Sequence, residues 1–91
     1  MYGDPTIRYN VAMNWQQLIE RNSKVMQGKP VIKGTRITVQ LIMEMLAEGS
    51  SEADILKSFP HLRIDQIRAA IAYAAAALGA DEIVLLGEQA A

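Results

Sequence analysis

The sequence contains no cysteine, which removes disulfides and thiolate metal sites, two devices that often reinforce a small core. It contains a single histidine, His61, beside a proline. Nucleophilic catalysis needs a nucleophile with an oriented base, and a metal site needs several converging ligands. One turn histidine supplies neither. Glu44 and Glu48 stand four residues apart, a spacing that a solvated helix face explains. We therefore expect no enzyme, no cofactor and no metal. Long apolar runs are also missing. The stretch from Ile71 to Leu78 falls far short of the about 20 residues needed to span a bilayer. The opening "MYGDPTIRYNVAMNW" has no continuous apolar core behind a basic start, as a secretory signal would. The expectation is a soluble, intracellular protein of the cytoplasm. Aromatics are few, at 5% of residues, and none stands among the cations of residues 28–39, so the interleaving that stacks single-stranded bases is absent there.

What is present is 91 residues, the length of one small domain, with 51% hydrophobic residues. A chain this short buries a limited core, and with no disulfide to help, that apolar content points to oligomerisation or a tight partner. The net charge is −1, so the molecule as a whole has no pull on nucleic acid. Its distribution is uneven. Residues 1–36 hold six cations against two carboxylates, a balance of +4, and residues 37–91 hold three against eight, a balance of −5. Such asymmetry marks an anion-facing end or is ordinary solvated charge.

Residues 1–14 lack a period and contain Gly3 and Pro5, so they read as a loose N-terminal arm. Residues 15–79 form the domain and 80–91 a tail. From Trp15 to Val25 the signal is mixed, with a short strand expected over Lys24 to Gln27. "KPVIKGTRI" reads as extended, turn, extended: Pro30 holds Lys29 out of helical angles, Val31 and Ile32 are β-branched, and Gly34 supplies the turn. Thr38 then caps a helix from about Val39 to Glu48, whose Val39, Ile42, Met43 and Leu46 share one face. Ser51 opens a second helix, with Asp54 in its first turn, Ile55, Leu56 and Phe59 on its inner side, and Pro60 ending it. A third helix runs from near Arg63 to Leu78. Its apolar stripe is Ile64, Ile67, Ile71, Ala74 and Leu78. Its other face carries Ala69, Ala72, Tyr73, Ala76 and Ala77. The tail holds four consecutive apolar residues, Ile83 to Leu86, that dock on a partner or fray.

The stretch "GKPVIKGTRITV", residues 28–39, has the look of a phosphate loop and fails as one. Five residues separate its glycines where the Walker pattern needs four, no lysine follows the second, and Pro30 lacks an amide. Its cations Lys29, Lys33 and Arg36 remain as candidates for nucleic-acid contact, or as a solvated bend. The second and third helices, joined by a short turn, form a helix-turn-helix pair. In DNA-binding versions the start of the second helix of the pair enters the major groove. Here that places Arg63, Gln66 and Arg68 as candidate contacts, with guanine and phosphate suited to the arginines and adenine to Gln66. Asp65 opposes them. The alanine face, Ala69, Ala72, Tyr73 and Ala76, suits a subunit interface instead, and residues alone favour core and interface over DNA reading.

The stretches "GKPVIKGTRITVQLI", "LAEGSSEADILKSFPHL" and "IRAAIAYAA" resemble domain-of-unknown-function family 433, over about Trp15 to Ala76. The matching positions are Gly28, Pro30, Ile32, Gly34, Thr35, Arg36 and Val39, then Gly49, Ser51, Ile55, Leu56, Pro60 and Leu62, then Ile67, Ala69, Ala70, Tyr73 and Ala74. The resemblance implies a mainly α fold, a three-helix homeodomain-like or winged helix-turn-helix bundle preceded by a short β element. It also implies a VapB-like antitoxin encoded beside a PIN-like nuclease toxin. One position departs: Arg63 stands where the family usually has threonine or serine, so the hydroxyl cap of the third helix is lost, with Gln66 able to reach back in its place. Two expectations follow. One is a dimeric, DNA-binding, antitoxin-like regulator that partners a PIN-like nuclease. The other is a homodimeric protein-interaction module without DNA binding.

Overall fold

A computed structural model describes residues 6–10, 14–79 and 82–86 of the chain. In chain order the elements are β1 (Thr6–Asn10), β2 (Ile19–Glu20), β3 (Val31–Ile32), α1 (Val39–Ala47), α2 (Glu52–Ser58), α3 (Ile64–Ala77) and β4 (Glu82–Leu86). Three helices follow a short β element, as expected. No helix among the described residues is long and apolar enough to cross a membrane.

Each helix starts where its cap chemistry dictates. The Thr38 hydroxyl accepts from the Leu41 amide at 3.0 Å, satisfying a donor that the first turn of α1 leaves unpaired. Ser51 and Asp54 form a reciprocal capping box at α2. The Asp54 amide donates to Ser51 Oγ at 3.0 Å, and the Ser51 amide donates to Asp54 Oδ2 at 2.8 Å. At α3 the Arg63 amide donates to Gln66 Oε1 at 2.7 Å, so Gln66 does reach back where the hydroxyl is lost.

The core lies where the three helices meet β2 and β3. Ile19, Ile32, Val39, Ile42, Ile55, Leu62, Ile67, Ala69, Ala70 and Ile71 are its buried members. β2 and β3 pair antiparallel, Ile19 opposite Ile32 and Glu20 opposite Val31. This places Ile19 and Ile32, both buried, in the same cross-strand pair.

Three expectations change. Thr6–Asn10, expected in a loose arm, and Glu82–Leu86, expected in the tail, pair antiparallel as β1 and β4, with Thr6 opposite Leu86 and Asn10 opposite Glu82. Both strands lie against α3. The other arm and tail residues, Asn14 excepted, lie outside the described ones. Lys24 to Gln27 is not a strand. Val25 makes an isolated bridge with Asn22, and Met26, Gln27 and Gly28 follow with φ of 49°, 59° and 81°. Finally, the buried side of α3 is wider than its large apolar residues indicate. Ile64 is 37% exposed and Leu78 is 82% exposed, while Ala69, Ala72 and Ala75 are fully buried. Alanines without bulk let neighbouring segments approach the helix closely, and α3 is flanked by α1, α2, the turn at Trp15–Gln17 and both terminal strands.

Candidate nucleic-acid interface

The basic stretch is held by backbone geometry. The Ile32 amide donates to the Ile37 carbonyl at 2.9 Å, closing a four-residue tip, Lys33-Gly34-Thr35-Arg36. Within it the Thr35 amide donates to the Ile32 carbonyl at 2.9 Å, and Gly34 has φ of +81°, the third position of a type II turn, which side chains other than glycine's resist. The Thr35 hydroxyl donates to the Ile32 carbonyl at 2.7 Å and accepts from the Ile37 amide at 2.9 Å, bracing the tip from inside. The Lys33 amide donates to the Leu18 carbonyl, and the Val39 amide to the Pro30 carbonyl, tying the tip to the rest of the domain. Gly34, Thr35 and Pro30 thus have structural duties.

Lys29, Lys33 and Arg36 have none of that kind. All three are exposed, and among the described residues none forms an ion pair or a side-chain hydrogen bond. Lys33 and Arg36 occupy the tip itself. Lys29 lies below it, at the rim of an open groove between α1 and α3. The Arg21 guanidinium donates to the Gly28 carbonyl at 3.2 Å, holding the left-handed turn that leads into Lys29.

The candidates on α3 are engaged differently. Arg68 makes a two-pronged contact with Glu52, Nε to Oε2 at 3.0 Å and Nη2 to Oε1 at 3.1 Å, joining the starts of α2 and α3. Arg63 Nε pairs with Asp65 Oδ1 at 3.1 Å. The Oε1 of Gln66 is spent on the cap. On α2, Asp54 adds further negative charge. Its carboxyl is held below the usual aspartate range, first by the Ser51 amide and then by the Ser51 hydroxyl, with burial opposing and Lys57 adding a smaller lowering. The start of α3 therefore presents arginines matched by carboxylates, not a cationic surface.

The two cation sets are also apart. Lys29 and Thr38, on either side of the tip in sequence, line the same groove as Ala77 and Leu78, so Lys29 adjoins the C-terminal end of α3. Arg63 and Gln66 stand at its N-terminal end, and the 14 residues of α3 separate them by about 20 Å.

The expected interface residues need correction. Ala69 and Ala72 are fully buried within the chain and have no surface to offer a second one. Tyr73 is half-buried, with its ring edge-on to Trp15 at a centroid distance of 4.9 Å and an interplanar angle of 87°. Ala76 alone of the four is exposed. Among the described residues, the exposed large apolar side chains are Leu41, Ile64 and above all Leu78. Leu78 reads as apolar in the sequence, and its place directly before Gly79, past the last turn of α3, is the sign that it leaves the core. Among the described residues, no group of three or more metal-ligating side chains comes together.

The family model for a protein of unknown function, DUF433, matches residues 19–74. DegV domain-containing proteins of Staphylococcus aureus strains COL, MSSA476 and MW2 are each 33% identical over 55 residues, which is 60% of this chain and 20% of theirs. The matched stretch thus spans about a fifth of the length of those relatives. No solved structure matches the chain. The family match takes in the basic tip and all three helices except the last residues of α3, and on it the chain belongs to the DUF433 family.

Proposed function

We propose that the chain is a DNA-binding regulator of the antitoxin kind, with α1–α3 as a homeodomain-like helix-turn-helix bundle and a PIN-like nuclease as its cognate partner. The observation that carries the DNA half is the tip. Lys33 and Arg36 project from a backbone locked by Gly34 and Thr35, with no carboxylate partner among the described residues. Phosphate contact requires cations that are accessible, pre-positioned and not already neutralised. Lys33 and Arg36 form no ion pair among the described residues, although the Glu20 carboxylate reaches the tip and accepts from the Gly34 amide at 3.5 Å, whereas Arg63 and Arg68 are paired with Asp65 and Glu52. The tip is thus assigned the backbone contact, and α3 a supporting place in the bundle. The antitoxin half rests on the resemblance of the sequence motifs.

The test has two arms. Duplex DNA from the chain's own promoter is titrated at low and at physiological salt. Binding that weakens with salt is expected, and absence of binding removes the DNA half. The nuclease encoded beside the gene is co-expressed, and co-purification with loss of nuclease activity is expected. A nuclease that neither associates nor is inhibited removes the antitoxin half.

A further inference from the structure

We propose that the Gly34 amide, between Lys33 and Arg36, is the seat of a phosphate group at the tip, and that the Glu20 carboxylate is an internal anion that holds this seat until phosphate displaces it. The inference rests on the reading of the tip as the DNA contact and adds how that contact is restrained. Of the first three amides of the tip, two are spent on backbone. That of Lys33 donates to the Leu18 carbonyl at 2.8 Å, and that of Thr35 to the Ile32 carbonyl at 2.9 Å. The Gly34 amide has no backbone acceptor among the described residues and donates to Glu20 Oε2 at 3.5 Å. Gly34 is exposed, and no atom lies within 4 Å of where a Cβ would stand, so the approach to this amide is open. An accessible amide flanked by two cations suits an anion. The structure shows an anion at it, supplied by the chain itself.

Glu20 is brought there by the β element. Residues 21–36 hold five cations, Arg21, Lys24, Lys29, Lys33 and Arg36, and no carboxylate, so an anion at the tip has to come from outside that stretch. The pairing of Ile19 with Ile32 and of Glu20 with Val31, continued by the Lys33 amide on the Leu18 carbonyl, lays β2 along the strand that enters the tip. The hold is loose. At 3.5 Å the contact is longer than the about 3 Å of a well-formed N–H···O bond, and Glu20 forms no ion pair among the described residues. A carboxylate shares with phosphate its negative charge and its accepting oxygens, so the two compete for one donor. A phosphate that takes the Gly34 amide displaces Glu20 or meets its charge. In both cases the carboxylate lowers affinity, and a neutral side chain at position 20 raises it. That sign is opposite to the one expected of a residue that only braces the binding surface.

Titration of the full chain with inorganic phosphate, followed by amide NMR with sodium chloride at matched ionic strength as the control, reads the seat without DNA. The Gly34 amide is expected to shift with phosphate and not with chloride. In Glu20→Gln, which keeps the shape and removes the charge, the shift is expected to saturate at about threefold lower phosphate, and Glu20→Ala to do the same with circular dichroism unchanged. Affinity for the promoter duplex is expected to rise by a similar factor. A Gly34 amide that phosphate leaves unmoved overturns the proposal. So do Glu20 variants that bind phosphate no more tightly than the wild type, the result expected if Glu20 only braces the tip. The two readings fail separately. Duplex binding that depends on Lys33 and Arg36, with no phosphate response at Gly34, removes the seat and keeps the DNA contact. A phosphate response strengthened by Glu20→Gln, with no duplex binding, removes the DNA contact and keeps the seat.

Discussion

Thr38, Ser51 and Arg63 hold the same position, the residue before the first turn of a helix, and solve its unpaired amides with three chemistries. Thr38 uses a hydroxyl alone, Ser51 a hydroxyl and a returning carboxylate, and Arg63 the returning amide oxygen of Gln66. Removing the first by Thr38→Ala is expected to cost about 1 kcal/mol in urea unfolding, with Thr38→Ser close to neutral. The second introduces a pH dependence. Asp54 has its folded-state pKa lowered, so its contribution is complete above the ordinary carboxylate range and is lost as pH falls through the lowered value. Urea midpoints measured down an acid series are expected to fall less steeply for Asp54→Asn than for the wild type. A parallel fall in both proteins means that Asp54 gains nothing from its cap.

At the scale of elements, the tip between β3 and α1 is held by backbone bonds to Leu18 and Pro30, by the Thr35 hydroxyl, by the Glu20 carboxylate at the Gly34 amide, and by the turn that Gly34 makes. Gly34 has φ of +81° and no atom within 4 Å of where a Cβ would stand, so the cost of a side chain there is backbone strain alone. Gly34→Ala is expected to destabilise the chain by about 1 kcal/mol in urea unfolding, and Gly34→Asn by less, because asparagine enters this region more readily. Between helices, the Arg68–Glu52 contact is more than half exposed on the arginine side, where such a pair contributes about 0.5 kcal/mol, so it sets charge more than it sets stability. What is legible in the sequence divides along the line between local and distant. The caps at Thr38 and Ser51 and the turn at Gly34 are decided by residues within a few positions and can be read directly. The pairing of β1 with β4 joins opposite ends of the chain, and no local pattern announces it. Ala69 and Ala72 are buried only because other segments cover them, so a stripe drawn from large apolar residues leaves them outside. The left-handed Met26 and Gln27 carry no side-chain signal at all. The tip cations are readable as candidates, but their difference from Arg63 and Arg68 is not. It depends on Asp65 and on Glu52, which the fold brings to Arg68 from another helix.

The whole molecule separates its charge and its apolar surface. Among the described residues, Lys33 and Arg36 stand on the tip between β3 and α1, Arg63 and Arg68, around the start of α3, are paired with carboxylates, and an apolar groove lies between α1 and α3. A single core supports all of it. Ile71 is fully buried in that core, and Ile71→Ala is expected to cost about 2–5 kcal/mol in urea unfolding, enough to unfold a large fraction of a domain this small. The central claim is that Lys33 and Arg36 meet phosphate, and the salt dependence of DNA affinity tests it most directly. Anisotropy titrations of a promoter duplex across a salt series should give a linear log–log decline for the wild type. For Lys33→Gln combined with Arg36→Gln the slope should be shallower by about 2, one for each phosphate no longer neutralised, and for Arg63→Gln it should be unchanged. A wild-type chain that does not bind, or a slope indifferent to removal of the tip cations, contradicts the account.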